Sequence, residues 1–211
     1  MKRLPVLPTL LVALAVAAMI ALGIWQLDRR QEKLALLARY AANQHLPAIA
    51  LPRFPDESVL FRQASAMCLQ PVAWHSEAGR AADGSSGWRL IADCRTGAEG
   101  PGFSVQLGIA STLTARPAWK GGVVRGYITH APQHQALIQG AWSRGPQPLM
   151  LVADTPLPGL KPNAPANMGD IPNNHFAYAV QWFIFAGIAA IIYAIALRRR
   201  LWAQAAGRTP D

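Results

Sequence analysis

Two long uncharged runs constrain this chain more than any other feature of its sequence. No Asp, Glu, Lys or Arg occurs from Leu4 to Leu27, or from Phe176 to Leu197. A helix rises about 1.5 Å per residue, so each run extends roughly 30–35 Å, enough to cross a hydrocarbon core of about 30 Å. Because the backbone in lipid must satisfy its own hydrogen bonds, two isolated spans have to be helical. The sequence therefore predicts two transmembrane helices with one domain between them.

The first run also has features of a cleavable signal peptide. Lys2 and Arg3 precede an apolar stretch that contains the small-residue triplet Ala15-Val16-Ala17. However, the apolar stretch continues well past this triplet and leads directly into a charged, helix-periodic segment over residues 28–42. We therefore expect the run to be retained as an anchor, with cleavage as the alternative.

The distribution of basic residues predicts the orientation in the membrane. Lys2 and Arg3 precede the first run, and Arg198-Arg199-Arg200 follows the second. The positive-inside rule then makes both termini cytoplasmic, although three basic residues within 29–33 oppose this assignment. Much of the net charge of +9 would meet anionic lipid, so nucleic acid is not expected as a partner. The expected location is a bacterial-type inner membrane, with the central domain in the periplasm.

The central domain is expected to be mainly antiparallel β-sheet. Phe103, Val105, Leu107 and Ile109 alternate with small or polar residues, which is the clearest strand pattern in the chain. Further strand candidates cover residues 64–68, 88–94, 123–129, 137–142 and 149–153. Glycine-rich breaks at 84–87, 97–102 and 121–122 are typical of hairpin connections. Five prolines between Thr155 and Pro172 predict a rigid connector back to the membrane.

The predicted fold class is a membrane α+β protein. Residues 1–27 are assigned to a cytoplasmic tail and the first transmembrane helix, and residues 28–172 to the extracytoplasmic domain. Residues 173–197 form the second transmembrane helix, and residues 198–211 a basic cytoplasmic tail.

Cys68 and Cys94 are the two cysteines of the chain, and both lie on the apolar side of their predicted strands. In an oxidising compartment they would form a disulfide, and otherwise they would be buried thiols that act as small hydrophobes. Their spacing is far from that of a Cys-x-x-Cys redox or copper-binding motif.

Two motifs flank the central domain, and both resemble one family. Gly23-Ile24-Trp25-Gln26-Leu27-Asp28-Arg29, followed by Lys33, resembles the Gly-x-Trp-Gln-x-x-Arg-x-x-x-Lys signature of the surfeit locus protein 1 family. The segment 173–183 contains that family's Asn-Asn-His-x-x-Tyr-Ala-x-Gln-Trp-Phe in full. Between them, Arg125-Gly126-Tyr127 is similar to the family's Arg-Gly-Trp segment, with tyrosine in place of tryptophan.

The resemblance implies a role in assembling haem–copper cytochrome c oxidase, and a cofactor, haem a, that is bound transiently. The implied partners are the catalytic subunit of the oxidase, haem a synthase and membrane lipid. It does not imply an enzyme, and the sequence contains no Gly-x-Ser-x-Gly elbow, His-Glu-x-x-His or nucleotide-binding loop.

The same resemblance, combined with helical spacing, predicts a cofactor site at the periplasmic surface of the inner membrane. His175, Tyr178 and Trp182 follow an i, i+3, i+7 spacing and share one helix face, which offers an imidazole to haem iron and aromatic edges to a porphyrin. The candidate cofactor-binding residues are Trp25, Gln26, Arg29, His175, Tyr178 and Trp182, with His175 as the iron ligand.

Each candidate also has a structural alternative. The tryptophans could be interfacial anchors, and the arginines could bind lipid phosphates instead of haem propionates. Asn173 and Asn174 could cap the second helix. The whole protein could equally be a partner that stabilises an oxidase intermediate without binding haem, through the helix faces that carry Ala186, Gly187 and Ala190.

Overall fold

The computed structural model describes residues 5–97, 102–132, 147–167, 169 and 171–206. They form two compact units, one made of Met1–Leu36 with Ile171–Asp211 and the other of Leu37–Asp170. The helices are α1 (Val6–Asn43) and α2 (His175–Ala206). The strands are β1 (Ile49–Ala50), β2 (Gln63–Cys68), β3 (Gln70–Arg80), β4 (Ser86–Arg95), β5 (Phe103–Ala110), β6 (Gly122–His130) and β7 (Leu149–Ala153).

The first unit consists of a pair of helices, α1 and α2, both long and apolar enough to cross a membrane. Their most apolar windows have mean hydropathies of 2.5 and 2.2. Large apolar side chains such as Leu14 and Ile192 are exposed on the outside of the pair. Such surfaces are unfavourable in water and suit the interior of a bilayer. The two predicted spans are thus present as helices.

The two helices run antiparallel and contact each other along one seam. The less exposed residues of α1 recur at three- and four-residue spacing, as do those of α2. On α1 these are Thr9, Val12, Val16, Met19, Gly23, Gln26 and Arg30, and on α2 they are His175, Ala179, Trp182, Ala186, Ala189 and Tyr193. Ala179 and Ala186 are 1% and 4% exposed, so small side chains let the backbones approach closely.

A hydrogen bond joins the helices near the start of α1. The Thr9 hydroxyl donates to the Pro5 carbonyl at 2.8 Å, which uses its one proton. Tyr193 must therefore donate its own proton to Thr9 Oγ1. This pairing satisfies two hydroxyl groups within an otherwise apolar stretch of the seam.

The second unit is a seven-stranded mixed sheet in the order β1-β2-β6-β7-β5-β4-β3. The pairs β1–β2 and β5–β7 are parallel, and the other described pairings are antiparallel. The predicted strands over 64–68, 88–94, 103–109, 123–129 and 149–153 are all present. The candidate over 137–142 lies outside the described residues. The sequence patterns missed β3, a half-exposed edge strand without a clear alternation.

The sheet is strongly rolled, and a disulfide joins two of its strands. Three strands separate β2 from β4 in the sheet order, but Cys68 at the end of β2 is bonded to Cys94 in β4, with their Cα atoms 5.2 Å apart. The neighbouring Leu69 amide donates to the Arg95 carbonyl at 2.9 Å. Because Leu69 alone separates β2 from β3, the chain crosses directly from one side of the rolled sheet to its other edge.

The proline-rich stretch after β7 differs from the expected connector, because it packs on the sheet. Val105 to Ala110 of β5 are all buried, on both faces of the strand. On one face Gln106 donates to Asn163 Oδ1 at 2.8 Å, and a Cβ on Gly108 would lie 2.8 Å from that of Leu160. Lys161 also exchanges two backbone hydrogen bonds with Ile109, at 2.8 and 2.9 Å. Local proline content did not reveal these tertiary contacts.

The last turns of α1 belong to this second unit. The buried Asn43 side chain donates to the carbonyls of Ser58 and Leu60, at 2.7 and 2.8 Å. The Tyr40 ring packs against that of Phe61, with centroids 5.1 Å apart. A buried amide that donates twice to backbone carbonyls fixes the end of α1 to the segment before β2.

Candidate functional site

The two flanking sequence motifs meet through one side-chain hydrogen bond. His175 Nδ1 lies 2.8 Å from Gln26 Oε1, and the two residues are 149 positions apart in the chain. Both side chains are partly buried in the helix seam. The antiparallel arrangement places the first residue of α2 beside this point of α1, so residues from both motifs form one local site.

A close contact of the helices lies one turn before Gln26. A Cβ added to Gly23 would lie 2.5, 2.7 and 2.9 Å from three ring atoms of Phe183. Even alanine at position 23 would therefore force the ring or the helix to move. Gly23 begins the first motif and Phe183 ends the second, so these two residues set the helix spacing at which Gln26 reaches His175.

A cationic side chain lies on the other side of Gln26. The Arg30 guanidinium carbon lies 5.4 Å from the centroid of the Phe176 ring, next to His175 in the chain. Arg30 is four residues after Gln26, and therefore on the same face of α1. Its charge is placed where an anionic group near His175 could be bound.

Trp25 and Arg29 are placed on a neighbouring part of the α1 surface. The Arg29 guanidinium carbon lies 5.8 Å from the Trp25 ring centroid, and its Nη1 lies 2.5 Å from Glu32 Oε2. Trp25 is 50% exposed. Arg29 therefore contacts side chains of its own helix, whereas Arg30 contacts α2. The sequence offered Arg29, Arg30 and Lys33 together as partners for haem propionates or lipid phosphates, and the structure brings Arg30, four residues after Gln26, to the α2 side.

Tyr178 and Trp182 extend the aromatic surface of α2 from His175. Tyr178 is 51% exposed, and Trp182 packs edge-on against Phe185 with ring centroids 6.2 Å apart. Trp182 lies in the seam, two turns after His175, while Tyr178 lies at its margin. The three predicted residues thus occupy one side of the helix, with His175 and Trp182 nearest to α1.

The residues before α2 position its first turn. Asn174 accepts the Tyr178 amide proton at 3.2 Å through its carbonyl, as an N-cap residue does. The Asn173 side-chain oxygen is buried and has no hydrogen-bond partner among the described residues. A buried acceptor without a donor is costly, so this oxygen is suited to a donor supplied by a bound group.

The donor set fits haem better than a bare metal ion. Among the described residues, no three His, Cys, Asp or Glu side chains are grouped as metal ligands. Haem brings four nitrogen ligands of its own and needs one or two axial ligands, an apolar surround and cations for its propionates. His175, the aromatic side chains of α2 and Arg30 supply one group of each kind.

The third motif, Arg125-Gly126-Tyr127, lies in β6 of the sheet unit. A Cβ on Gly126 would lie 1.8 Å from the Val152 carbonyl oxygen, so the close approach of β7 requires glycine. The Tyr127 hydroxyl donates to the Ala164 carbonyl at 3.2 Å, and burial raises the pKa of this tyrosine. Together with Phe61 and Asp154 it lines a cavity of about 370 Å³.

Comparison with known proteins identifies one family. A sequence model of the SURF1 family matches residues 13–187, which include the whole sheet unit and both flanking motifs. No curated protein matches the chain.

Proposed function

Since this chain belongs to the SURF1 family, we propose that it binds haem a between α1 and α2 and passes it to cytochrome c oxidase during assembly. The family is one of assembly factors linked to cytochrome oxidase and is not a known class of enzyme. Binding and handover of haem a, and His175 as the ligand, are our proposal.

The hydrogen bond between His175 and Gln26 is the observation that carries this proposal. It joins the two motifs that the chain has in common with the family, at the first residue of α2. Imidazole is a common axial ligand of haem iron. Mutual geometry of candidate groups is a criterion for a functional site, and here residues from two distant motifs converge on one histidine.

The surroundings of His175 support a porphyrin rather than a small polar ligand. Phe176, Tyr178 and Trp182 follow it within the first two turns of α2, and a porphyrin face binds such side chains through apolar contact. Arg30 would hold a propionate by a charge-assisted hydrogen bond. When bound, the group supplies the iron and its redox chemistry, and the chain supplies the axial ligand, the orientation and the charge.

The proposed orientation places this site at the periplasmic surface of the inner membrane, with both termini in the cytoplasm. A site at the edge of a two-helix pair is open sideways in the bilayer. Haem could then be received from haem a synthase and passed to the catalytic subunit without crossing water.

The haem spectrum of the purified full-length protein tests this function. Protein from cells that make haem a should carry a haem absorption spectrum, and His175→Ala should abolish or strongly shift it while leaving insertion unchanged. The matched control is His45→Ala, because His45 is exposed and lies near the end of α1, outside the site. A normal spectrum in His175→Ala, or wild-type protein that never carries haem, would contradict the proposal.

A second candidate function is supported by the outer side of α2. Ala186, one of the small residues expected to bind a partner, is buried against α1. Gly187 and Ala190 remain exposed, and a Cβ on Gly187 would meet no atom of the described residues within 4 Å apart from its chain neighbours and its own helix backbone. These two residues could receive a helix of an oxidase subunit, which would stabilise an assembly intermediate without haem.

A further inference from the structure

We infer that Gln26 is a positioning residue that holds His175 in its Nδ1-protonated tautomer, so that Nε2 is the nitrogen presented to a ligand. The identity of that ligand as haem iron rests on the proposed function. The tautomer itself does not, because it follows from the contact between the two side chains.

The chemistry of the contact determines which nitrogen carries the proton. Gln26 Oε1 is an amide carbonyl oxygen and can only accept a hydrogen bond. With the amide oxygen facing the ring, as the structure has it, His175 Nδ1 at 2.8 Å is the donor and carries the proton. A neutral imidazole has one ring proton, so its Nε2 is left with a lone pair. Only a nitrogen with a lone pair can bind iron.

The rest of the described structure leaves that lone pair available. Among the described residues, His175 forms no side-chain hydrogen bond other than the one to Gln26. Its ring is partly exposed at the start of α2. Nε2, which carries the lone pair, is therefore accessible, whereas the protonated Nδ1 is hydrogen-bonded to Gln26.

The position of Gln26 is fixed on both sides along α1. One turn before it, Gly23 packs against Phe183, and one turn after it, Arg30 lies over Phe176. All three lie on the seam side of α1, at spacings of three and four residues. The amide is therefore held against α2 and has little freedom to leave the histidine.

The bond has two consequences for a ligand at Nε2. It fixes the plane of the imidazole ring, and it increases the basicity of the ligating nitrogen, as second-shell acceptors do at metal-bound histidines. A neutral amide increases basicity less than a carboxylate would. This moderate effect suits a protein that must later release its haem.

The tautomer can be measured directly in the apo protein. The full-length protein in detergent, with 15N-labelled histidine, gives distinct shifts for protonated and unprotonated ring nitrogens, measured about two pH units above the usual imidazole pKa of ~6.5. The His175 signals are those that are lost in His175→Ala. Wild type should show Nδ1 protonated. Gln26→Glu should keep this state, because a carboxylate also accepts, and Gln26→Leu should give a mixture of both tautomers.

Titration with ferric protoporphyrin IX gives the second readout. Gln26→Leu should weaken binding by about ten- to a hundredfold, the range for loss of a second-shell partner, and Gln26→Glu should restore it. Gln31→Leu is the matched control, an exposed glutamine five residues further along α1. It should resemble wild type in both measurements.

Two results would overturn the inference. One is a wild-type protein with Nε2 protonated, in which the amide would donate to Nδ1 instead. The other is a Gln26→Leu variant that keeps the wild-type tautomer or the wild-type affinity. If wild type has Nδ1 protonated and loses this state in Gln26→Leu but binds no porphyrin, the proposed function fails while the assignment of Gln26 stands.

Discussion

Several single residues in the motifs have roles that depend on the space available to them. Gly23 and Gly126 each lie where another part of the chain comes too close for a side chain, a ring in one case and a backbone carbonyl in the other. A ring can rotate away, whereas a carbonyl within a sheet cannot move without breaking hydrogen bonds. The two glycines should therefore differ in how strongly they resist substitution.

Gly126→Ala should destabilise the sheet unit severely. Its methyl group would lie 1.8 Å from the Val152 carbonyl oxygen, so β6 and β7 would have to separate locally. We expect a loss of about 3 kcal/mol or more in the free energy of unfolding. Denaturation of the full-length protein in detergent, followed by tryptophan fluorescence, measures this.

Gly97→Ala is the control for that experiment, because a Cβ there has no atom of the described residues within 4 Å. Its stability should stay within about 0.5 kcal/mol of wild type. Equal stabilities of the two variants would contradict the close packing of β6 against β7.

At the scale of elements, the helix pair is organised by small residues and a few polar contacts. Helices in lipid gain little from apolar burial, so close packing and interhelical hydrogen bonds hold them together. Here a hydroxyl pair lies near the start of α1, and the Gln26–His175 bond lies at the start of α2. A change in helix spacing should therefore affect the candidate site as well as the pair.

Two glycine variants separate the proposed functions at this scale. Gly23→Val should push Phe183 and α2 away, break the Gln26–His175 bond and lower haem affinity about tenfold or more. Gly187→Val adds the same bulk on the exposed side of α2 and should leave haem binding unchanged.

Porphyrin titration and oxidase yield in cells distinguish the outcomes. If only Gly187→Val lowers oxidase yield, helix docking is the function and haem binding is not. If Gly23→Val lowers both porphyrin affinity and oxidase yield, and Gly187→Val lowers neither, the haem site is supported.

In the sheet unit, the disulfide between β2 and β4 joins the two sides of the rolled sheet. The bond between Cys68 and Cys94 closes a chain segment that includes all of β3 and joins strands that the sheet order separates. Both cysteines are 1% exposed, so oxidation has to accompany folding.

We expect the cysteines to be bridged in the mature protein. Thiol labelling of denatured, unreduced protein should then modify neither cysteine, and prior reduction should expose both. The Cys68→Ala/Cys94→Ala variant should lose roughly 3–4 kcal/mol of unfolding free energy, because its unfolded chain is less restricted. Two freely labelled cysteines in protein isolated from its native compartment would contradict the prediction.

At the scale of the whole molecule, two candidate spans enclose one sheet unit in the sequence. Two helices that both cross a membrane would leave both termini on one side of it and the sheet unit on the other. The basic cluster at Arg198-Arg199-Arg200 favours the cytoplasm for the termini. A disulfide in the sheet unit independently favours an oxidising compartment for that unit.

Reporter fusions test this orientation. A reporter that is active only outside the cytoplasm should be active when fused at residue 100 and inactive when fused after Arg200. Activity of the C-terminal fusion would show that the proposed orientation is wrong. The sheet unit would then not be expected in an oxidising compartment, which is one of the reasons to expect the disulfide. Inactivity of both fusions would show that the first run does not anchor the chain across the membrane.

Much of this architecture could be predicted from the sequence, because the responsible interactions are local. A run without charge has to be a helix in lipid, and alternation over 103–110 indicates a strand wherever the strand lies. The motif around His175 identified the family. The packing of the segment 155–167 on β5 could not be predicted in this way. Its prolines predict only the local backbone conformation, whereas its contacts with β5 depend on the tertiary structure.

The sequence by itself determined the two long apolar helices and most of the strands, since each depends on side-chain chemistry at short range, and its second motif singled out His175 as the candidate ligand. Tertiary structure decided which α1 residues lie beside the start of α2, where Gln26 is hydrogen-bonded to His175 and Arg30 lies over Phe176. The antiparallel register of α1 and α2 selected Gln26 and Arg30, and placed Arg29 with Trp25, because residues four apart share a helix face and adjacent residues do not. The rolling of the sheet decided that Cys68 and Cys94 meet, since sheet order alone would keep their strands apart.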